Sequence, residues 1–404
     1  MSLLETEMCG VKMKNPIVVA SGPPTNDAEY MRLAFESGAG GVATKTLTDV
    51  ELLREGQIRP KFTILQKKGY PHCFSNYSTG GMSHLTPSEF VKEVKIAKKY
   101  AVEHDAVLIG TVLTSTSLQM WKDLARMVED QGIDILEINF GCPSLTKTKA
   151  GVELGREPDA AAEVTAAVVN TVKIPVLPKL TFDGVDPVVV GKRVKEAGAH
   201  GLVIINRIPA LEVDIETGRP ILVGGFAGYG GPWMRPIMLR LVARVAQEVG
   251  LPISATNGIW VWQDVVKAIM CGAHDVQTCT GILYGRKGYG IVKDYIKGLK
   301  NYLKAHNIPS VNHLRGMSLN KIKTRAEVER RSKGTIWAEV IPEKCTGCEL
   351  CGNWCYYHAI SFDKGGKAII DKAMCDGCML CRILCPKEAI VERGELPIYL
   401  GDFT

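Results

Sequence analysis

Long apolar runs are missing from this sequence. No stretch of its 404 residues approaches the ~20 consecutive apolar residues of a membrane-spanning helix, so no membrane span is expected. The N-terminus, MSLLETEMCGVKMKNP, carries an early glutamate and no apolar core of about 7–15 residues. A secretory signal is therefore not expected, and the expected location is cytoplasmic. Charge of one sign is scarce as well: 49 Lys and Arg against 43 Asp and Glu leave a net charge of +6, too modest to imply nucleic-acid binding. Thirteen cysteines are too few in a chain of this length for a disulfide scaffold. There is no Walker A sequence. Gly38-x-Gly40-x-x-Ala43 has the loose nicotinamide pattern, but it precedes a strand-like run instead of following one. What is present is an ordinary globular mixture, 46% hydrophobic and 23% charged, which excludes a disordered chain. The length allows two or three domains, or one barrel of about 250 residues with a smaller companion.

Eight short, nearly continuous apolar runs punctuate the first 300 residues: Ile17–Ala20, Gly41–Thr46, Val107–Val112, Ile135–Phe140, Val176–Thr181, Gly201–Asn206, Ile253–Ile259 and Asp275–Ile282. Runs of that kind suit strands buried on both faces. Between them fall helix-like segments, including Glu29–Ser37, Pro87–Tyr100, Trp121–Gln131, Pro158–Val172, Pro187–Ala197, Pro236–Val249 and Trp262–Met270. Several open with proline, which suits the first helical position. The alternation predicts an α/β fold, a (β/α)8 TIM barrel, with a doubly wound sheet as the competitor. The run ends are polar (Ser21, Lys45, Asn139, Lys179, Asn206, Asn257, Thr280), and in a barrel those ends form the catalytic face. Small-residue loops suited to phosphate follow the last two runs, Thr256-Asn257-Gly258 and Cys279-Thr280-Gly281, with Gly228-Tyr229-Gly230-Gly231 upstream. The barrel pattern fades near Leu303. Residues 304–334 are polar and basic, through Lys321, Lys323, Arg325, Arg330, Arg331 and Lys333, and read as a helical linker or a docking surface for an acidic partner.

Eight cysteines crowd into the remaining segment, 335–404. Cys345-x2-Cys348-x2-Cys351-x3-Cys355 recurs thirty residues later as Cys375-x2-Cys378-x2-Cys381-x3-Cys385-Pro386. This is the spacing of two-cluster bacterial ferredoxins, in which the fourth cysteine of each run ligates the other cluster. It predicts a small α+β ferredoxin-like domain with two [4Fe–4S] clusters, one on Cys345, Cys348, Cys351 and Cys385, the other on Cys375, Cys378, Cys381 and Cys355. Zinc is the alternative, but zinc sites more often use paired Cys-x-x-Cys. Clusters pass electrons singly, so the barrel, residues 1–303, should hold a cofactor that converts single electrons into pairs, as flavin does.

Ala20-Ser21-Gly22, Thr44-Lys45-Thr46, Asn139-Phe140-Gly141-Cys142-Pro143, Lys179-Leu180-Thr181, Asn206 and the Gly230-Gly231 loop occur in that order. The series resembles the flavin barrel of dihydroorotate and dihydropyrimidine dehydrogenases. With the cysteine repeat appended, essentially the whole chain is similar to the bacterial catalytic subunit of the dihydropyrimidine enzymes, which works with a separate NAD-linked flavoprotein subunit. The resemblance implies FMN held by Ala20, Ser21, Gly22, Lys45, Thr46, Asn139, Lys179, Gly230, Gly231, Asn257, Gly258, Cys279 and Thr280. Lys45 and Lys179 would lie at the isoalloxazine N1–O2 edge, where a cation stabilises the reduced anion. Cys142 would be the proton donor to one carbon of a C=C bond while hydride reaches its neighbour; a thiol is mostly protonated at neutral pH. Its setting before a mobile-looking loop, Ser144–Gly155, favours that role over packing, the reading given to Cys9, Cys73, Cys271 and Cys279, with Cys279 also placed close to the FMN phosphate. Asn76, Asn139 and Asn206 would hold the pyrimidine ring, each amide able to donate and accept. The implied reaction is reduction of uracil or thymine at C5=C6, with electrons running from clusters to FMN to substrate. Since no NAD site is visible, the donor would be an NAD-linked flavoprotein subunit or a ferredoxin, and a homodimer or hetero-oligomer is expected.

Four positions depart from the family pattern. Gly141 replaces serine, Ser144 replaces histidine or asparagine, Asn257 replaces a glycine, and Arg207 replaces threonine. Arg207 either meets an anionic edge of the substrate, as in orotate or an aromatic acid, or turns away to pair with a loop acid. A reading of another class, an electron-relay subunit with the barrel as scaffold, would leave Cys142 without a role.

Overall fold

Eight parallel strands close on themselves in chain order: β1 (Ile17–Val19), β2 (Gly41–Ala43), β3 (Val107–Val112), β4 (Ile135–Asn139), β5 (Val176–Lys179), β6 (Leu202–Ile204), β7 (Ile253–Thr256) and β8 (Asp275–Thr278). This computed structural model describes residues 3–51, 54, 62–65, 74–142, 151–222, 226–322 and 336–394. Cys73, Pro143 and Ser144, and the basic residues Lys323, Arg325, Arg330, Arg331 and Lys333, lie outside them. Helices follow the strands: α1 (Ala28–Glu36), α2 (Pro87–Glu103), α3 (Leu118–Glu129), α4 (Pro158–Val169), α5 (Pro187–Glu196), α6 (Arg235–Glu248), α7 (Trp262–Met270) and α8 (Ile291–Ala305). Their starts are written locally. Thr86 caps α2, its Oγ1 accepting from the Glu89 N–H while the Glu89 carboxylate accepts from the Thr86 N–H, with Pro87 at the first position. Asp27 and Asp186 cap α1 and α5 with their own carboxylates, which accept from the Tyr30 and Val188 N–H groups. The chain is thus a (β/α)8 barrel followed by a second unit; the division falls between Ile322 and Lys323.

Side chains alternate along the strands. Leu136 and Ile138 of β4 pack outward against the helices, while Ile135, Glu137 and Asn139 point into the barrel. An N-terminal hairpin, Thr6–Met8 paired with Val11–Met13, pushes Met8 and Met13 into a cluster with Val18, Ile109, Ile135, Leu177 and Val203, closing one mouth of the barrel with apolar volume. Above that plug the interior is polar. Residues 304–322, read from charge as linker, belong to the first unit: Val311 and Leu314 are buried, and the Val311 N–H donates to the Leu3 carbonyl at 3.0 Å. Their apolar residues pack, and Arg315 folds inward with them to Thr6 Oγ1 and Asn312 Oδ1. The tail of the supposed loop 144–155 also differs, because Val152–Gly155 forms a helical turn with Val152 and Leu154 buried.

At the N-terminal end of β8 Asp275 is fully buried, and its Oδ1 accepts from Ser254 Oγ. Burial pushes this carboxyl up to about 7, with Glu137 adding to the rise and Ser254 and Arg315 opposing it. A native carboxyl that keeps its proton to higher pH than the unfolded chain makes stability fall as pH rises from about 4 to about 7. Over that window the loss amounts to about 4 kcal/mol at most. Asp275→Asn carries no such penalty, so its thermal midpoint relative to the native protein should climb between pH 5 and pH 8. Parallel midpoints across that range would show that Asp275 does not titrate there.

The second unit pairs Ile336–Val340 with Ile390–Gly394 and Ile360–Phe362 with Ala368–Ile370, both antiparallel. Two short helices, Leu350–Asn353 and Leu380–Leu384, repeat each other at a thirty-residue interval. The repeat extends to the backbone. Glu349 and Met379, and likewise His358 and Glu388, all adopt positive φ.

Candidate active site

A cleft opens at the C-terminal ends of the barrel strands, its lining enclosing about 870 Å3 including the open mouth. Polar strand ends build it because the parallel strands all expire at the same level. Asn139 at the end of β4 sits in register with Lys179 at the end of β5. Lys179 Nζ donates to Glu137 Oε1 at 3.1 Å, and Gln277 Nε2 donates to Glu137 Oε2 at 3.0 Å. Glu137 is wholly buried, so this ion pair survives only because both carboxylate oxygens are bonded. The pair aims an ammonium into the cleft, where Lys45 also lies. Among the described residues the buried Gln277 Oε1, on the cleft wall, has no hydrogen-bond partner. Such an atom suits a polar ligand.

Around Cys142 three side chains form a closed set. Asn139 Nδ2 lies 3.2 Å from Cys142 Sγ and 3.3 Å from Thr46 Oγ1; its Oδ1 accepts from the Gly141 N–H and from Asn206 Nδ2, each at 3.1 Å. Asn206 Nδ2 also comes within 4.0 Å of the sulfur. Gly141 explains its own departure from the family pattern: a Cβ there would stand 2.3 Å from the Cβ of Asn206. A serine would displace that amide.

Above the strand ends lies a four-stranded antiparallel sheet, Ile208–Ala210, Ala227–Gly230, Ser75–Ser78 and Phe62–Leu65 in spatial order. It carries Asn76 and Ser78 to the cleft wall. Arg207 neither turns away nor meets a loop acid. Its guanidinium lines the cleft, donates to Ser78 Oγ and lies 3.4 Å from the Gly228 carbonyl, lying over a glycine-rich strand that leaves it room.

The expected phosphate loops divide. Asn257, Gly258, Cys279 and Thr280 line the cleft together with Ala20, Ser21, Gly22 and Thr46. Asn257 adopts φ +77, the left-handed geometry that asparagine tolerates. Gly258, at φ +85, has no room for a Cβ, which would come within 2.6 Å of the Arg235 backbone. Gly230 and Gly231 do not line the cleft. The Gly231 N–H is spent on Asn257 Oδ1 at 3.1 Å, and the Gly230 carbonyl accepts from Trp233 Nε1. Burial pushes the Cys279 thiol up, against the pull of Lys45, Arg207 and Lys179.

In the second unit two cavities of about 380 and 360 Å3 divide the eight cysteines. Cys345, Cys348, Cys351 and Cys385 line one; Cys355, Cys375, Cys378 and Cys381 line the other. Each run thus lends its last cysteine across the repeat. Backbone N–H groups face sulfur, Ala359 toward Cys355 at 3.3 Å and Ala389 toward Cys385 at 3.2 Å, contacts that stabilise thiolate ligands.

Residues 3–303 match the family model described as dihydroorotate dehydrogenase. The chain belongs to the dihydroorotate dehydrogenase family. It is a flavoprotein oxidoreductase of the class that acts on CH–CH bonds. Among relatives of this family, the chain is 29% identical to the NAD-dependent dihydropyrimidine dehydrogenase subunit PreA of Escherichia coli, over 99% of this chain and 97% of the relative. It is 31% identical to the catalytic subunit of dihydroorotate dehydrogenase B (NAD(+)) from Pyrococcus abyssi, over 78% of this chain and 99% of that one. The chloroplastic dihydropyrimidine dehydrogenase (NADP(+)) of Arabidopsis thaliana is 28% identical over 82% of this chain and 81% of its own. Among the described residues no helix is long and apolar enough to cross a membrane.

Sequence reasoning passed over Glu137, Gln277, Ser78 and Tyr284. A carboxylate inside the apolar run ILEIN was a usable signal for Glu137. Tyr284 offered none, since only folding brings it to Asn76.

Proposed function

We propose that this chain reduces the C5=C6 double bond of a pyrimidine, uracil or thymine, using FMN and two [4Fe–4S] clusters, with Cys142 as proton donor. The observation that carries this reading is the Cys142–Asn139–Asn206 set, a thiol framed by two amides at the floor of a cleft whose wall carries Lys179 and Lys45. Residues suited to FMN are Ala20, Ser21, Gly22, Lys45, Thr46, Lys179, Asn257, Gly258, Cys279 and Thr280, with the unpartnered Gln277 Oε1 beside them. Bound there, FMN supplies hydride chemistry. The chain's own part is electrostatic and acid–base. Glu137 keeps Lys179 aimed at the cleft, and the Asn139 N–H facing Cys142 Sγ accommodates the charge left when the thiol proton departs. The two four-cysteine cavities suit cubane clusters better than single zinc ions, since each combines three thiols of one run with the last thiol of the other, whereas zinc sites more often use paired Cys-x-x-Cys. Electrons would come from an NAD-linked flavoprotein subunit or a ferredoxin, and purified chain alone should not oxidise NADH in the presence of uracil.

The deciding experiment reduces the holoenzyme chemically without oxygen and follows flavin reoxidation on adding uracil, thymine or orotate separately. Rapid reoxidation by uracil or thymine is expected; reoxidation by none of the three would overturn the pyrimidine reading. One observation favours a second reading, an anionic ring: the Arg207 guanidinium borders the cleft. On that reading orotate reoxidises the flavin faster than uracil, and Arg207→Thr reverses the order. Because Ser78 and the Gly228 carbonyl already engage Arg207, the neutral rings are expected to win.

A further inference from the structure

Tyr284 ends the short helix Thr280–Tyr284 after β8, and its hydroxyl donates to Asn76 Oδ1 at 2.9 Å. Its ring stands edge-on to Phe74, with centroids 6.0 Å apart, and Phe74 stands edge-on to Trp260 at 4.8 Å, so the phenol has little freedom to swing. Burial raises Tyr284 above the ordinary phenol range, so it remains a donor at any physiological pH. A half-buried hydroxyl proton needs an acceptor, and among the described residues Asn76 Oδ1 is the one it has.

That contact settles which end of the Asn76 amide faces the cleft. With Oδ1 taken, Nδ2 carries two hydrogens that no described group accepts. The other two amides differ. Asn139 is engaged at both ends, and Asn206 accepts from the Arg207 N–H at Oδ1 and donates one Nδ2 hydrogen to Asn139 Oδ1. Ser78, two residues beyond Asn76 on the same strand face, brings the Arg207 guanidinium to the same wall. This wall therefore presents donors. A ring carbonyl satisfies them, whereas a ring amino group in the same place sets donor against donor.

We propose that Tyr284 is a specificity-positioning residue: by occupying Asn76 Oδ1 it makes that amide a donor, so that the site accepts oxo-pyrimidines and rejects an amino counterpart. The proposal rests on the pyrimidine-reducing function above and assigns its choice of ring to a residue outside the cleft lining.

The test titrates FMN-loaded holoenzyme, following the flavin absorbance change, with uracil, cytosine (amino at C4) and isocytosine (amino at C2). Native enzyme should bind uracil and reject at least one of the amino rings. In Tyr284→Phe the amide is free to turn, so uracil should weaken about tenfold and the uracil-to-amino preference should shrink by a similar factor, the worth of one oriented hydrogen bond. KM for uracil should rise more than kcat falls. Asn76→Asp, which offers acceptors only, should move the preference toward the rejected amino ring. Unchanged affinity and preference in Tyr284→Phe would overturn the proposal, and so would a uniform weakening of all three rings, the mark of a merely structural role. If the native enzyme binds none of the rings, the pyrimidine function falls and the proposal with it, a failure seen before any variant is made.

Discussion

Cys142→Ala should leave FMN and iron content unchanged and lower turnover with uracil by about 10²–10⁴-fold, the usual contribution of a positioned general acid. That is about 3–5 kcal/mol of barrier. The expectation follows from the placement of the sulfur. Cys142 lines the cleft, sits three residues beyond the end of β4, and is touched by Asn139 Nδ2 at 3.2 Å. The side chain packs in part against the core, but a cysteine that merely packs would have no amide turned onto its sulfur at the strand ends of a barrel. The measurement is reoxidation of the chemically reduced enzyme by uracil under single-turnover conditions, which excludes electron delivery from the comparison. A rate within a few-fold of native would remove Cys142 from catalysis and revive the reading of the barrel as an electron-relay scaffold.

Cys385→Ala should strip the cavity formed with Cys345, Cys348 and Cys351, while Cys355→Ala strips the other. Each variant is expected to keep roughly half of the native iron, because each fourth thiolate serves the cluster of the opposite run. Turnover driven by a physiological electron donor should fall to background in both, while uracil still reoxidises chemically reduced flavin in the barrel. The two variants should differ in which cluster's paramagnetic signal disappears. Native iron content in either variant would show that the thiols of these cavities do not hold clusters. Zinc in place of iron would show the same.

Much of the barrel was legible because its signals are local. Strands β1 to β8 fall inside eight apolar runs, and capped or proline-led segments became helices, since burial on both faces and helix capping are properties of neighbours in sequence. Apart from Val107–Val112, which coincides with β3, the runs outlast the strands by one to four residues, because the polar ends leave the hydrogen-bond ladder and turn toward the cleft. At Thr280-Gly281-Ile282 the chain goes straight into a helix instead. The segment 304–322 misled because its charges were visible and its partners were not; Val311 and Leu314 find their burial against the barrel.

The cysteine repeat was legible for a different reason. Its spacing is itself a geometric constraint, and a thirty-residue period with matching positive-φ positions leaves little choice of which thiols share a cavity. The glycine loop shows the limit of such reasoning. Gly230-Gly231 has the composition of a phosphate cradle, yet Asn257 takes the Gly231 N–H, a contact between residues 26 apart that composition cannot foresee.

The sequence by itself therefore determined the alternating elements, the two sets of four cysteines and the polar rim of strand ends, all consequences of short-range pattern and spacing. Tertiary structure alone decided which way each side chain in that rim is used. Glu137 was committed to Lys179 from 42 residues away, Arg207 to Ser78 from 129, and Tyr284 to Asn76 from 208. An amide or a guanidinium has several hydrogen-bonding directions, and only closure of the barrel brings up the partners that select one.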